Sequence, residues 1–493
     1  MAHAPTSVGD GAAAPNQEGG PADQPRTNGH RNLTPRLFSA LVAGKVAGRA
    51  SRLLGRGGGT SFPGMVARRI APDFLAQVGG GAAAKTILIS GSNGKTTTAR
   101  FTVALLRGEG IEVVTNSAGA NLVQGVATMV VGAADLRGRV RGGAMVIEVD
   151  EGALAGVAQD LAPDVVLATD IFRDQLDRYG ELHAVGAVFE TVAMRLPASS
   201  TWIVNGDDPL VASLAKERAG PKVTFGFELD HSTDQLSRAA DTIRCPRCRA
   251  DLVYEQVYLS HLGNYRCPSC GFARPPLDVA VTSLKTVAID RTTLAMRTPW
   301  GELQLSIPQG GTHIAYNAAA AVAALVGLGI EPHHAATSLA EVGPAFGRLE
   351  LIDAGGREIF LAFVKNPTSA NTTLAALAVE GEPRHLLIAA SNTLVDGEDF
   401  AWLWDVDFEA AAPRLVEVTV SGTRADELAN RLKYAGVDPE RMRVVEDRRG
   451  ALDAALASTP SQVPLVIMAG YTPTIELREE MRRRRWVGRF WEG

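Results

Sequence analysis

Short runs rich in β-branched residues alternate with longer helical stretches from Thr86 onward. The runs TILIS, AMVIEV, DVVLAT and TWIVN are each followed by a segment long enough for a helix. This alternation predicts βαβ units and a parallel sheet. It resumes after Phe346 with HLLIAAS, LVEVTVSG and VPLVIMAG, and the join falls near Gly343. We therefore predict an α/β protein with a central domain at 35–343 and a second, Rossmann-like α/β domain at 344–493.

The N-terminal region divides into two segments of different character. Residues 1–34 are rich in Gly, Ala, Pro, Asn and Gln, and this composition predicts a disordered tail. From Pro35 to about Gly59, apolar residues recur at helical spacing. Four basic residues interrupt them: Lys45, Arg49, Arg52 and Arg56. One interpretation is a solvated helix packed on the first sheet, and the other is a basic surface near phosphates or the inner face of the membrane.

The overall composition describes an ordinary globular protein and excludes several functional classes. Hydrophobic residues make up 46% of the 493 positions and charged residues 21%. A net charge of -5 gives no general attraction to nucleic acid or to an anionic membrane. The longest apolar stretch, Ile314–Ile330, is rich in Ala and falls short of the roughly 20 strongly apolar residues that a membrane span requires. We expect it to be a buried helix, and we expect a cytoplasmic protein because the N-terminus lacks the pattern of a secretory signal.

The segment from Ile87 to Thr98, ILISGSNGKTTT, runs from an apolar strand directly into a predicted helix. Backbone N–H groups of such a loop surround phosphate oxygens at the N-terminus of the helix. Lys95 would neutralise the β- and γ-phosphates of ATP, and the Thr96 hydroxyl would ligate Mg²⁺. The residues expected to bind the nucleotide here are Gly91, Ser92, Asn93, Gly94, Lys95, Thr96 and Thr97.

The four cysteines of the chain form a C-x2-C-x18-C-x2-C pattern within 243–275. They are Cys245, Cys248, Cys267 and Cys270. This spacing is typical of structural zinc sites with four thiolates, whereas disulfides are disfavoured in a reducing cytoplasm. We predict a zinc-ribbon insert. It lacks the long basic run that would indicate binding to nucleic acid, and it leaves no thiol elsewhere to act as a glutaminase nucleophile.

The short phosphate loop GSNGKTTT resembles that of the Mur ligases and folate-polyglutamate ligases. Further motifs follow in the family's order between residue 40 and about 490: Glu148 at the end of a strand, ATDIFRDQLDRYG, NGDDP, GTHIAYN and FGRLE. The second of these is similar to T-N-x-x-x-D-H-L-D-x-H-G, with Gln175 where a metal-binding histidine is usual. The resemblance implies ATP and Mg²⁺ as cofactors, a Mg²⁺-binding Glu148, and Asn317 beside the adenine. It also implies that Arg348, in the motif that opens the C-terminal domain, binds the nucleotide. Lys95 and Glu148 are therefore candidate catalytic residues.

The C-terminal half resembles a narrower group within this family. Typical muramyl peptide ligases carry D-Y-A-H-N-P, which helps to place the incoming amino acid, whereas this chain has FVKNP at 363–367. The resemblance implies a ligase that amidates the D-glutamate α-carboxylate of the lipid II stem peptide through an acyl phosphate. It also implies a GatD-type glutaminase subunit as the source of ammonia. The alternatives are a Mur or folate ligase that adds an amino acid, and a nucleotide-binding scaffold without turnover.

The segment AWLWDVDF at 401–408 contains two aspartates beside two tryptophans. Taken without the family resemblance, this segment is interpreted as the end of a packed strand. The resemblance implies instead that an aspartate of this domain orients the histidine of the partner's Cys-His pair. We choose Asp405 for this role and hold Asp407 in reserve, because the two side chains would face opposite sides of an extended segment.

Overall fold

A nine-stranded sheet forms the centre of the N-terminal two thirds of the chain. Its order is β11-β10-β9-β6-β5-β4-β1-β3-β2, and the pairs from β2 to β9 are parallel. Two further strands, β7 and β8, form a separate hairpin. The strands of this region are β1 (Lys85–Ser90), β2 (Val113–Thr115), β3 (Ala144–Glu148), β4 (Val165–Ala168), β5 (Thr201–Asn205), β6 (Lys222–Phe227), β7 (Val253–Leu259), β8 (Leu262–Arg266), β9 (Val279–Ala288), β10 (Arg291–Thr298) and β11 (Gly301–Ile307). The predicted parallel sheet is confirmed, and an antiparallel meander, β9 to β11, extends one edge.

Helices cover both faces of this sheet, so its central strands are apolar on both sides. Ile87 and Ile89 belong to the core on one face, and Leu88 belongs to the core on the other. The helices are α1 (Pro35–Leu53), α2 (Phe62–Ile70), α3 (Phe74–Val78), α4 (Lys95–Gly108), α5 (Val123–Ala133), α6 (Glu151–Leu161), α7 (Leu182–Arg195), α8 (Pro209–Ser213), α9 (Thr312–Leu328) and α10 (Ala335–Ala340). The buried helix predicted in the long apolar stretch is α9.

The C-terminal sheet has six strands in the order β12-β13-β17-β14-β15-β16, parallel except for β12. The strands are β12 (Arg348–Asp353), β13 (Glu358–Phe363), β14 (Arg384–Ala389), β15 (Leu415–Ser421), β16 (Met442–Val444) and β17 (Leu465–Ala469). The helices are α11 (Pro367–Ala378), α12 (Phe408–Ala411), α13 (Ala425–Tyr434), α14 (Arg448–Ser458) and α15 (Tyr471–Arg483). A second α/β domain is thus present, while the exact limits 35–343 and 344–493 stay a prediction.

The computed structural model describes residues 34–53, 61–78, 85–116, 119–173, 182–214, 216, 218–233, 236, 240–288, 290–344, 347–378, 383–393, 396–397 and 399–488. The tail predicted for 1–34 falls, apart from Thr34, outside these residues, and so does Gln175. The basic helix α1 packs against α2 and α5, and both of its interpretations stay predictions. None of the helices within the described ranges has the length and apolar character to span a membrane.

Candidate nucleotide site and cysteine cluster

The predicted phosphate loop lies at the carboxyl end of β1 and leads into α4. Gly91 and Gly94 have φ angles of +139° and +80°, which side chains rarely adopt. A Cβ on Gly91 would lie 2.1 Å from the Thr169 hydroxyl, and one on Gly94 would lie 2.3 Å from the Asn317 amide oxygen. Glycine is therefore required at both positions by conformation and by space.

Lys95 points back into the loop and forms a buried ion pair. Its Nζ lies 2.8 Å from Oε1 of Glu151 and also donates to the Gly91 carbonyl. Burial raises the pKa of Glu151, but the charges of Lys95 and Lys365 outweigh burial, so the net pKa lies below the ordinary value. Glu151 was missed by the sequence analysis, although VIEVDE places it three residues after Glu148 at the start of α6.

The two predicted magnesium ligands lie together beside the loop. The Thr96 hydroxyl donates to Oε2 of Glu148 at 2.8 Å, and the Asn121 amide donates to Oε1 at 3.2 Å. The Glu148 backbone is held by Asn116, whose side chain accepts from its N–H at 3.0 Å and donates to its carbonyl at 2.9 Å. A carboxylate and a hydroxyl are oxygen donors of the kind that Mg²⁺ prefers, so this pair fits the ion.

A cleft extends from the phosphate loop between the two sheets. Its walls include His313, Tyr316 and Asn317 of α9 and residues that flank Arg348 in the C-terminal domain. Asn317 lies at the loop end of the cleft, where its Oδ1 accepts from the Thr98 hydroxyl at 3.3 Å. The backbone of Arg348 belongs to β12, and its side chain lies outside the described part of the structure.

The segment that replaces the amino-acid motif reaches the phosphate loop from the other domain. Lys365 Nζ donates to the Ser92 carbonyl at 3.1 Å, and the Asn366 amide donates to Oδ1 of Asn93 at 3.1 Å. Two lysines, Lys95 and Lys365, therefore flank the phosphate-binding backbone. From the sequence, this segment is a marker of the family, and no contact with the phosphate loop is predicted for it.

Asp170 stands where the related motif has asparagine. Its Oδ1 accepts from the Asn93 backbone N–H at 2.7 Å. The pKa of this carboxyl is raised to about 7: burial is the largest cause and the charge of Asp208 adds to it, while the Asn93 N–H and the charges of Lys95 and His261 lower the pKa. A neutral carboxyl has the shape and size of the asparagine amide, so the protonated form fits the place of the amide.

Asp170→Asn is expected to change the dependence of stability on pH. The carboxyl is neutral below about pH 4 in the unfolded chain and below about pH 7 in the folded protein. The neutral Asp170 carboxyl therefore stabilises the folded protein fully below pH 4, and this stabilisation is lost as the pH rises through 7. Between pH 5 and pH 8 the melting temperature of the wild type should fall relative to that of the variant by about 5 °C. Parallel melting curves at the two pH values would contradict the assignment.

Asp405 and Asp407 differ in how they are held. The segment Ala401–Asp405 is a 3₁₀-helix, so the assumption of an extended strand end was wrong. The Asp405 side chain is 42% exposed and lies 3.5 Å from the Arg173 guanidinium, which also pairs with Asp241. Asp407 instead accepts from the Asn371 amide at 3.0 Å, while its own N–H donates to Asn371 at 2.9 Å. Both residues are of intermediate exposure. The Asp405 carboxylate is held by an ion pair and the Asp407 carboxylate by an amide, so the choice of Asp405 stays a prediction.

The four cysteine sulfurs converge within 4.8 Å of one another. The distances are 3.6 Å between Cys245 and Cys270 and 3.5 Å between Cys248 and Cys267. A tetrahedral zinc ion with bonds of roughly 2.3 Å has sulfur–sulfur edges of about 3.8 Å, whereas a disulfide bond is about 2.05 Å. The arrangement fits a tetrahedral metal ion and not a pair of disulfides.

Comparison with known proteins agrees with this geometry. The family described as the Mur ligase middle domain matches residues 89–253, and the MurT ligase C-terminal family matches residues 363–474. The lipid II isoglutaminyl synthase subunit MurT of Streptococcus pneumoniae is 31% identical over 90% of this chain and 97% of its own length. The chain belongs to the MurT family. The MurT subunit of Staphylococcus aureus is 29% identical over 82% of this chain and 89% of its own.

Membership of the MurT family confirms the resemblance drawn from the motifs, and it makes the chain a ligase of the Mur type. The fold is also similar to that of solved peptide ligases. A pseudomurein peptide ligase type C from Methanothermus fervidus superposes with a TM-score of 0.63 at 20% identity, covering 84% of this chain and 81% of that one. The residues that match the MurT C-terminal family, 363–474, include both the KNP segment, residues 365–367, and Asp405.

Proposed function

We propose that this chain uses ATP to amidate the D-glutamate α-carboxylate of the lipid II stem peptide, forming D-isoglutamine with ammonia from a GatD-type glutamine amidotransferase subunit. The observation that carries the proposal is a phosphate loop flanked by two lysines, combined with a partly exposed Asp405 and with cysteines only in the metal-type cluster. The chain has the means to activate a carboxylate. It has no thiol left to release ammonia from glutamine, so a second chain must do so.

The reaction follows from the positions of the charged groups. A carboxylate oxygen of the substrate attacks the γ-phosphorus of ATP, the bond to ADP breaks, and an acyl phosphate forms. Ammonia then attacks the acyl carbon, phosphate leaves, and a proton is released as the amide forms. Lys95 and Lys365 would stabilise the negative charge on the transferring phosphoryl group. Thr96 and Glu148 would hold Mg²⁺, which supplies further charge neutralisation at the phosphates.

The KNP segment supports ammonia as the acceptor. An incoming amino acid needs a clamp for its carboxylate and a site for its ammonium group, whereas ammonia needs neither. In this chain Lys365 and Asn366 are engaged with Ser92 and Asn93 of the phosphate loop. The segment that guides an amino acid in muramyl peptide ligases is therefore used here for the phosphate site. This observation disfavours the amino-acid-adding alternative.

Reconstitution tests the proposal directly. The chain, a GatD-type subunit, ATP, Mg²⁺ and lipid II should yield an amidated stem peptide by mass spectrometry, with one ADP released for each amide. Glutamine or ammonium should support the reaction, and free amino acids should not. Product formation with an amino acid instead would establish the alternative ligase. Absence of ATP hydrolysis with all components present would establish the non-catalytic scaffold.

We also propose that the cysteine cluster holds a structural zinc ion, since four thiolates fill a tetrahedral coordination shell. Cys248→Ser should lower the zinc content and destabilise the protein, because metal binding and folding of the insert are coupled. A loss of about 2 kcal/mol would lower the melting temperature by roughly 4–8 °C. The neighbouring exposed Ser269→Ala is the matched control and should change neither quantity. Full zinc content and an unchanged melting temperature in the cysteine variant would contradict the site.

Contact with the inner face of the membrane stays a prediction. On the basic helix α1, the Lys45 side chain is directed towards α5, where its Nζ donates to the Val131 carbonyl at 2.7 Å. Arg49 and Arg52 are exposed. These two side chains are the ones with which α1 would meet anionic headgroups or the pyrophosphate of the substrate.

A further inference from the structure

The cysteine insert reaches the nucleotide cleft through the tip of its hairpin. Strands β7 and β8 pair between 253 and 266 and are joined by the two-residue turn Ser260-His261. Leu259 and Leu262, on either side of this turn, line the cleft together with residues of the phosphate loop. The opposite end of the hairpin leads to Cys267 and Cys270. The hairpin is thus a wall of the nucleotide site that is anchored in the cysteine cluster.

His261, at the tip of the hairpin, is fully buried. Its ring centroid lies 4.4 Å from that of Phe172, and its Nε2 lies 3.6 Å from Oδ2 of Asp208, whose side chain is also fully buried. Among the described residues, no acceptor lies within hydrogen-bonding distance of either ring nitrogen. A buried imidazole beside a buried carboxylate, with no other polar partner, points to an electrostatic role towards that carboxylate.

Asp208 links the histidine to the segment that follows β4. Its carboxylate accepts from the Ile171 N–H at 2.9 Å, and it caps α8 by accepting from Leu210 and Val211 at 2.9 and 3.1 Å. The next residue, Phe172, is bonded to the phosphate loop, since its N–H donates to the Ser92 hydroxyl at 2.9 Å. The Ser92 hydroxyl in turn donates to the Phe172 carbonyl at 3.0 Å. His261 is therefore connected to the Ser92 side chain of the phosphate loop through Asp208, Ile171 and Phe172.

A second connection runs from the insert to the wall of the cleft formed by α9. Arg274 lies just beyond the cysteine cluster and pairs with Asp207 at 3.1 Å. The other oxygen of Asp207 accepts from the Tyr316 hydroxyl at 2.8 Å, and Tyr316 lines the cleft. Asp207 and Asp208 are adjacent in the NGDDP turn. Asp208 thus connects the insert to the segment beside the phosphate loop, and Asp207 connects it to Tyr316 on the α9 side of the cleft.

We propose that His261 is a positioning residue for ATP, which holds the 170–172 segment against the phosphate loop through Asp208 and Phe172. The cysteine insert is then a structural part of the nucleotide site and not an appendage to it. This inference rests on the ATP-dependent function proposed above. It goes further in assigning to the insert an effect on the binding of ATP.

The test compares His261→Ala, His261→Gln and the control His231→Ala in the reconstituted complex driven by ammonium. His231 is exposed and pairs only with the neighbouring Asp230 among the described residues. We expect His261→Ala to raise KM for ATP about tenfold and to leave kcat within about twofold. The glutamine variant keeps an N–H donor near the position of Nε2 and should keep KM for ATP within about threefold. His231→Ala should match the wild type, and zinc content should be equal in all three.

A purely packing role for His261 would lower the melting temperature without a selective change in KM for ATP, and this result would overturn the inference. If the alanine variant does not fold, Leu259→Ala tests the same wall, because Leu259 is only partly buried and lines the cleft. A wild-type KM for ATP in that variant would also overturn it. Lack of ATP-dependent amidation by the wild-type complex would refute the proposed function itself, so the two failures are distinguishable.

Discussion

Lys95→Ala is expected to abolish amidation with both glutamine and ammonium as the nitrogen source. Lys95 is the buried cation at the start of α4, next to the backbone that would surround the phosphates. Removing one preorganised charge from a phosphoryl-transfer site reduces kcat by at least about 10²–10³. The reduction should be equal for the two nitrogen sources, because ATP activates the carboxylate in both cases. Steady-state release of ADP and phosphate measures it.

The variant needs a control because Lys95 also neutralises Glu151. Its removal leaves that buried carboxylate with Lys365 as the remaining nearby cation, so some loss of stability is expected along with the loss of activity. Lys85→Ala is the matched control: it removes an exposed lysine of β1 that pairs with Asp164 at 3.6 Å. This variant should keep normal turnover. Normal turnover in folded Lys95→Ala would refute the assignment of the ATP site.

Asp405→Asn should eliminate glutamine-dependent amidation while amidation with free ammonium persists. Cysteine glutaminases rely on a Cys-His pair whose histidine is oriented by an acidic group, and replacing that acid with its amide lowers kcat by about 10³–10⁴. Asp405 is suited to this role because its carboxylate is partly exposed and lies at the end of a 3₁₀-helix next to the exposed Trp404. Ligase chemistry in the cleft does not involve Asp405, so ammonium should bypass the defect.

Asp407→Asn is the matched comparison, since it changes the same functional group two residues away. Asp407 is bonded to Asn371 of α11, so this variant should affect packing and leave glutaminase activity within about twofold. Both variants should still form the complex in size-exclusion chromatography. Equal loss with glutamine and ammonium in Asp405→Asn, or loss of glutaminase activity only in Asp407→Asn, would contradict the choice of Asp405.

The pairing of Asp405 with Arg173 would connect the two proposed reactions physically. Arg173 directly follows Phe172, which is bonded to Ser92 of the phosphate loop. Its guanidinium lies between Asp241 of the central region and Asp405 of the C-terminal domain. Asp405 is therefore linked to the phosphate loop through the side chain of Arg173 and the adjacent residue Phe172.

Features with a local cause were predicted correctly from the sequence. The parallel strands were visible because strands covered by helices on both faces must be apolar at successive positions, as at Ile87, Leu88 and Ile89. The phosphate loop was visible because a glycine with positive φ and a lysine must occur at fixed spacing between a strand and a helix. The cysteine cluster was visible because four ligands of one metal ion occur as two close pairs.

Contacts between distant parts of the chain leave no such periodic or spaced signal. Lys365 and Asn366 lie 273 residues from the phosphate-loop residues that they contact, and neither was assigned this role in advance. His261 lies in a two-residue turn that carries no motif, and its importance depends on Asp208 and Phe172. The different partners of the two aspartates, Arg173 for Asp405 and Asn371 for Asp407, also come from distant segments of the chain. Such properties depend on which surfaces meet when the two sheets pack together, and local spacing does not encode that.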